Sequence, residues 1–324
     1  MTKILGIGNA LVDVLIQLEN EQFLSEYNLP KGSMQLVERD FARSLQMVLK
    51  RSNPQTTSGG SAANTIHGLA KLGATTSYIG KIGPDEFGNI FTSDLQGNSI
   101  NPVLLQSTTD TGRAITFITP DSERTFATYL GAAVELSPDD LKPEHFEGYG
   151  ILHLEGYLVF NQALVTRALE LAKKHKLKVS IDLASFNVVD LNRDFLTKVI
   201  AESVDIVFAN EEEAKSLTGQ EPEEALETIS KMCDIAVVKI GSKGSYVKCG
   251  TEKVKVDAIK ATAIDTTGAG DLYAAGFLFG ITQNWDLEKC ARLGSLTAGK
   301  VVECIGAKIS PVVWDEINLK KAAL

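Results

Sequence analysis

The chain has 324 residues, 44% of them hydrophobic and 23% charged, in the range of a soluble globular protein. That length suffices for two average domains or for one large α/β domain with an appendage. A net charge of −9 and a pI near 5.1 argue against a nucleic-acid surface, which needs a clustered basic face. No apolar run approaches the ~18 residues that span a bilayer, and Met1-Thr2-Lys3-Ile4 runs straight into a strand pattern, so neither membrane nor signal peptide is expected. Cys233, Cys249, Cys290 and Cys304 lie far apart with no C-x-x-C pair, which fits a cytoplasmic protein with reduced thiols.

In chain order, residues 4–7 read as a first buried strand. Residues 31–37 and 113–129 show short alternating segments, separated by helical periodicity over residues 62–72. Residues 113–119 and 124–129 are rich in β-branched and aromatic side chains. Pro120-Asp121-Ser122-Glu123 between them is turn chemistry, which predicts a hairpin. Farther on, strand patterns at 150–154, 179–182, 205–209 and 235–240 alternate with helical patterns at 163–174, 211–217, 223–231 and 270–281. Such alternation predicts an α/β fold, a mostly parallel sheet covered on both faces. The early β segments, near 9–18, 31–38 and 112–130, are expected to form a small β-sheet lid within a single domain spanning 1–324.

Asp265-Thr266-Thr267-Gly268-Ala269-Gly270-Asp271, followed by the apolar run from Leu272 to Phe277, is the most informative stretch. It places two glycines where a loop turns into a helix. The first N–H groups of a helix lack internal partners, and the helix dipole adds about half a positive charge there. Glycines let the backbone approach an anion closely, so Gly268, Ala269 and Gly270 are candidates for a phosphate-binding turn. Asp271 beside such a turn would repel the anion unless it had a task. Accepting a proton from an attacking hydroxyl is that task. Its reference pKa near ~3.9 leaves it ionised at neutral pH. An ordinary helix-start acid is the competing account.

This motif resembles the C-terminal signature of the ribokinase-like (PfkB) family of carbohydrate and nucleoside kinases. Gly59-Gly60-Ser61-Ala62-Ala63-Asn64 resembles the N-terminal one. Two motifs in the right order are far more specific than either alone, and the resemblance covers essentially the whole chain. It implies a three-layer ribokinase-like sandwich with a lid, ATP and Mg²⁺ as cofactors, and a small-molecule acceptor. Asn210-Glu211-Glu212-Glu213 resembles the family's N-x-x-E motif, with Asn210 and Glu213 near the nucleotide phosphates and Glu213 meeting Mg²⁺ through water. A capped helix start explains the same letters. The resemblance also lines the ATP site with the backbone near Lys239, Gly241 and Gly244, with Thr267, and with a helix over 294–302 beside the adenine. Residues 304–310 resemble a loop that, with Asp265 and Thr267, holds a monovalent cation such as K⁺, here through Gly306 and Ser310.

On the acceptor side, Asn9 and Asp13 follow the first strand, and a carboxylate can accept hydrogen bonds from two vicinal hydroxyls. By resemblance Gly59, Gly60 and Asn64 complete that pocket. Gly6-x-Gly8-x-x-Leu11 is not a dinucleotide fingerprint, because the third glycine and the helix are missing. Arg124, on the expected lid hairpin, is a candidate to swing over the phosphates. The four histidines show no metal-ligand spacing. Gly8-Asn9-Ala10-Leu11-Val12-Asp13 and Gly59-Gly60-Ser61 are closest to the adenosine kinase-like branch, where ribokinases usually carry a lysine in place of Ser61. Phe117 and Tyr157 are the aromatic candidates to sandwich a purine. The expected activity is phosphorylation of a nucleoside 5′-hydroxyl by a monomeric enzyme. A sugar kinase and a non-catalytic nucleotide-binding protein are the alternatives.

Overall fold

Ile4-Leu5-Gly6-Ile7 is apolar in both directions, the pattern of a strand covered on both faces, and every one of its residues is buried. The structure, a computed structural model, describes residues 2–49, 54–121 and 123–324. Among the described residues the strands in chain order are β1 (Ile4–Ile7), β2 (Leu11–Gln17), β3 (Met34–Leu36), β4 (Gln55–Gly59), β5 (Thr76–Ile82), β6 (Asn101–Gln106), β7 (Gly112–Ile118), β8 (Arg124–Tyr129), β9 (Ile151–Glu155), β10 (Lys178–Asp182), β11 (Ile206–Asn210), β12 (Ile235–Lys239), β13 (Ser245–Cys249) and β14 (Glu252–Val256).

Nine of them form one sheet in the order β14-β13-β12-β11-β10-β9-β1-β5-β6. Its pairs are parallel from β6 through β12, and β13 and β14 close one edge antiparallel. Successive side chains of a strand point to opposite faces, and the core divides accordingly. Ile4 packs in the layer that holds helices Ser61–Lys71, Ala269–Thr282 and Leu287–Val301, whereas Leu5 and Ile7 pack with Gln162–His175, Phe186–Ser203 and Pro222–Ile229. This is the three-layer α/β sandwich expected from the alternating pattern.

The remaining five strands make the lid, in the order β3-β8-β7-β2-β4. β7 and β8 pair antiparallel from Arg113↔Tyr129 to Ile118↔Arg124, the expected hairpin; Ser122 of its turn lies outside the described residues. β4 is an addition to the expected lid. Its sequence, Gln55-Thr56-Thr57-Ser58-Gly59, offers no apolar alternation, yet it pairs antiparallel with β2 and delivers the chain to Gly60. Along β2, Val12, Val14 and Ile16 are buried on the outer lid face, where Phe23, Tyr27 and Leu45 from flanking helices cover them. Asp13 points the other way.

Candidate active site

In an open α/β sheet, ligands collect outside the carboxyl ends of the parallel strands. Here those ends carry Asn9 just past β1, Glu155 on β9, Asp182 on β10, Asn210 on β11 and Lys239 on β12, with Asp182 opposite Glu155 and Asn210 opposite Lys239 in register. Beyond them lies a cavity of about 800 Å³, roofed by Asp13, Ala114 and Phe126 of the lid.

Two helices aim their N-termini into this cavity. Ser61–Lys71 and Ala269–Thr282 cross at Gly68, where a Cβ would lie 2.7 Å from that of Ala275, so the two helix starts are held side by side. Asp271, in the first turn of the second helix, accepts hydrogen bonds from Ser61 Oγ at 2.7 Å and from Asn64 Nδ2 at 3.0 Å. Thr65 Oγ1 donates to its backbone carbonyl. The carboxylate is therefore fixed at both oxygens. Burial pushes its pKa up to about 6, against the pull of Ser61 and Asn64. That corrects the expectation of an untuned acid. Asp271 remains mostly ionised at neutral pH, and sits nearer the pKa that suits a general base.

Gly268 opens that helix at φ +77°, and a Cβ there would lie 2.6 Å from that of Ala307. Among the described residues, the N–H groups of Gly268, Gly270 and Asp271 find no acceptor in the protein. Ala269 differs from the expectation: its N–H donates to Thr266 O at 3.2 Å, so it shapes the turn rather than opening to an anion. Lys239 Nζ would be 2.9 Å from a Cβ on Gly270, which adds a cation beside the free amides. That ammonium donates to Asp182 Oδ2 at 2.7 Å. Burial opposes its charge, but Asp182 and Glu213 overcome this and hold its pKa raised.

Asn210 and Glu213 form a reciprocal capping box: Asn210 Oδ1 accepts from Glu213 N, while Glu213 accepts from Asn210 N and Nδ2 at 2.7 Å each. The capped helix start is thus present, and both residues also line the cavity. Burial, and then the Asp182 carboxylate, raise the pKa of Glu213. Each oxygen of Asp182 and Glu213 already accepts one hydrogen bond. Their remaining lone pairs fit the water shell of Mg²⁺ better than direct coordination. Gly241, Gly244 and Thr267 line the cavity too, as do Ala298 and Gly299 of helix Leu287–Val301 and Val302 just past it.

The acceptor side departs from expectation at two residues. Asn9 does not line the cavity. Its amide donates to Glu155 Oε1 at 2.7 Å, and Glu155 Oε2 accepts from Ala62 N, so Asn9 braces the start of helix Ser61–Lys71 from behind. Burial raises Glu155 to about 7. Phe117 is wrongly placed by the sequence reading. It is fully buried on the outer lid face, 5.0 Å from the Phe23 ring. Asp13 pairs with Ala114, so the inward positions of β7 are 114, 116 and 118, and 117 is outward. Phe126, opposite Thr116, is the lid aromatic that lines the cavity, with Tyr157 across from the main body. Gly59 stands behind the pocket, where a Cβ would strike the Asp13 carboxylate at 2.3 Å; Gly60 and Asn64 line it.

Arg124 is not free over the phosphates. Its guanidinium pairs with Asp265, whose carboxylate also accepts from Thr267 N at 2.9 Å and Gly306 N at 2.6 Å. The residues expected to hold K⁺ do not fit that ion here, because Arg124 supplies the positive charge at Asp265 and Ser310 heads the helix Pro311–Ala323. Sequence reasoning missed Asp182, Glu155, Phe126 and the Lys239 ammonium. For Glu155 and Asp182 the signal was present as the terminal residue of a buried strand; for Phe126 it was absent, because the register that turns it inward is set by β2.

The signature of the pfkB family of carbohydrate kinases matches residues 33–314. The chain belongs to that family. A nucleoside kinase of Methanocaldococcus jannaschii is 32% identical over 273 residues, covering 80% of this chain and 83% of that one. An uncharacterized sugar kinase of Archaeoglobus fulgidus is 29% identical over 247 residues, 74% of this chain and 96% of that one. Among solved structures, the adenosine kinase of Sinorhizobium meliloti is 36% identical, covers 98% of this chain and 99% of its own, and superposes with a TM-score of 0.86. The pfkB kinase family implies ATP as phosphoryl donor, usually with Mg²⁺.

Proposed function

We propose that this pfkB kinase transfers the γ-phosphoryl group of ATP to the 5′-hydroxyl of a nucleoside, adenosine foremost, giving AMP and ADP. The observation that carries this reading is Asp271, fixed by Ser61 and Asn64 beside the unpartnered N–H groups of Gly268, Gly270 and Asp271 itself. Asp271 takes the hydroxyl proton as the oxygen attacks phosphorus and the bond to ADP breaks. The free amides and the Lys239 ammonium stabilise charge on the transferring oxygens; one such donor typically contributes about 10²–10³ in rate. Asp182 and Glu213 would hold Mg²⁺ through its water shell, and the ion would supply charge neutralisation at the phosphates. Asp13 accepts from the 2′- and 3′-hydroxyls, and the purine lies between Phe126 and Tyr157. Arg124, tied to Asp265, joins the lid hairpin to the phosphate loop.

The chain acts as one domain with a lid. The covered outer face of that lid favours a monomer, and the activity fits purine salvage in the cytoplasm. A sugar acceptor is the second reading, favoured by the sugar-kinase relative; it would leave Phe126 and Tyr157 without a base to hold. A non-catalytic nucleotide-binding role gives no reason for the paired clamp on Asp271. ADP formation measured with adenosine, inosine, guanosine, cytidine, ribose and fructose discriminates among them. Turnover confined to a free sugar overturns the nucleoside assignment, and turnover with none of the six overturns the kinase mechanism.

A further inference from the structure

Helix Ser61–Lys71 starts without a cap of its own. Its N-cap position is Gly60, at φ +92°, where a Cβ would lie 2.3 Å from Asn9 O, so no capping side chain fits there. The cap comes instead from a strand 93 residues beyond Ala62. Glu155 Oε2, at the end of β9, accepts from Ala62 N at 3.1 Å, and Oε1 accepts from Asn9 Nδ2 at 2.7 Å. Both side chains are buried, and a buried carboxylate is costly unless hydrogen bonds compensate it. The helix start favours its negative charge. A Cβ on Gly8 would stand 2.5 Å from Glu155 Oε2, so the turn after β1 closes on the carboxylate as well. One buried acceptor thus ties the end of a sheet strand to that turn and to the first turn of the helix.

We infer that Glu155 is a positioning residue for phosphoryl transfer: by capping helix Ser61–Lys71 from the sheet, it holds Ser61 and Asn64 where they fix the Asp271 carboxylate. The inference rests on the reading of Asp271 as the base. Ser61 and Asn64 stand on either side of Ala62 in that first turn, and donate to Asp271 at 2.7 Å and 3.0 Å. Thr65, the next residue, donates to the Asp271 carbonyl. A shift of the helix start therefore reaches all three contacts of the base, whereas the amides of the phosphate turn belong to the other helix. Glu155 itself does not line the cavity, so it acts through the helix. Misplacing a reacting group by about 1 Å can cost roughly 10²-fold in rate.

A double-mutant cycle on single-turnover phosphoryl transfer from ATP to adenosine separates positioning from general stability. Glu155→Gln is nearly isosteric, but its amide turns a donor toward either Ala62 N or Asn9 Nδ2. It is expected to slow transfer by about 10–10²-fold with ATP binding retained. In the Asp271→Asn background the same substitution should slow transfer by about twofold at most, because the base it positions is gone. Adding Asn9→Asp to Glu155→Gln reverses the pair: the new amide donates to the new carboxylate, and its oxygen still accepts from Ala62 N. Most of the rate should return. If Glu155→Gln fails to fold, Asn9→Ala, which releases Oε1 of the same carboxylate, takes its place in the cycle. Equal slowing in both backgrounds, wild-type transfer in Glu155→Gln, or no recovery in the exchange variant overturns the inference. A wild-type rate in Asp271→Asn, or no transfer by the wild type, overturns the reading of the base and takes this inference with it. A slow Asp271→Asn on which Glu155→Gln acts additively sinks only the inference.

Discussion

Asp271 combines a raised pKa with two fixed hydrogen bonds, and the sign of its pH effect follows. It must be ionised to accept a proton, so kcat/KM should rise with pH through about 6 and level above it. A profile flat from pH 5 to pH 8 would remove it as the base. The two lid phenylalanines make a paired test of parity. Phe126→Ala should raise the KM for a nucleoside with little loss of stability, because the ring faces the cavity. Phe117→Ala should lower stability by about 3–5 kcal/mol, as for a core aromatic, and act on acceptor KM only weakly. Unfolding midpoints and acceptor KM for both variants decide the matter; the reverse pattern would place Phe117 in the pocket. Phe117 and Phe126 are equally plausible as letters. The register Asp13↔Ala114 alone separates them, and nothing in one strand's sequence states its register with another.

Elements built from local chemistry were legible, and elements defined by distant partners were not. The turn at Gly268–Gly270 and the capping box at Asn210 and Glu213 need only neighbours in sequence, and both occur where expected. β4 was invisible because its polar residues owe their strand to β2. The Lys239–Asp182 pair joins residues 57 apart, and the Lys308–Ser58 bond residues 250 apart, so neither leaves a local pattern. Helix Phe186–Ser203 escaped notice as well; it is kinked at Asn192, which breaks its apolar period. At this scale the turn itself can be tested. Gly268→Ala forces a side chain into φ +77° and against Ala307, a strain of about 1–3 kcal/mol, and should weaken ATP binding as the amides shift. Unchanged thermal stability together with an unchanged KM for ATP would show that the turn tolerates a Cβ.

Over the whole molecule, the large sheet supplies a rigid edge of charged strand ends, two helix starts supply unpartnered amides and the Asp271 carboxylate, and the lid supplies the Asp13 carboxylate and the Phe126 ring. Phosphoryl transfer asks mainly for alignment and charge stabilisation, and this division of labour supplies both. Whether the assembly works as a kinase centred on Asp271 is tested most directly by single-turnover transfer of labelled γ-phosphate from ATP to adenosine, with ATP binding measured on the same preparations. Wild-type protein should place the label on AMP. Asp271→Asn should slow that step by about 10²–10⁴ while still binding ATP. Equal rates in the two proteins, or label released as free phosphate with no AMP formed, would contradict the account.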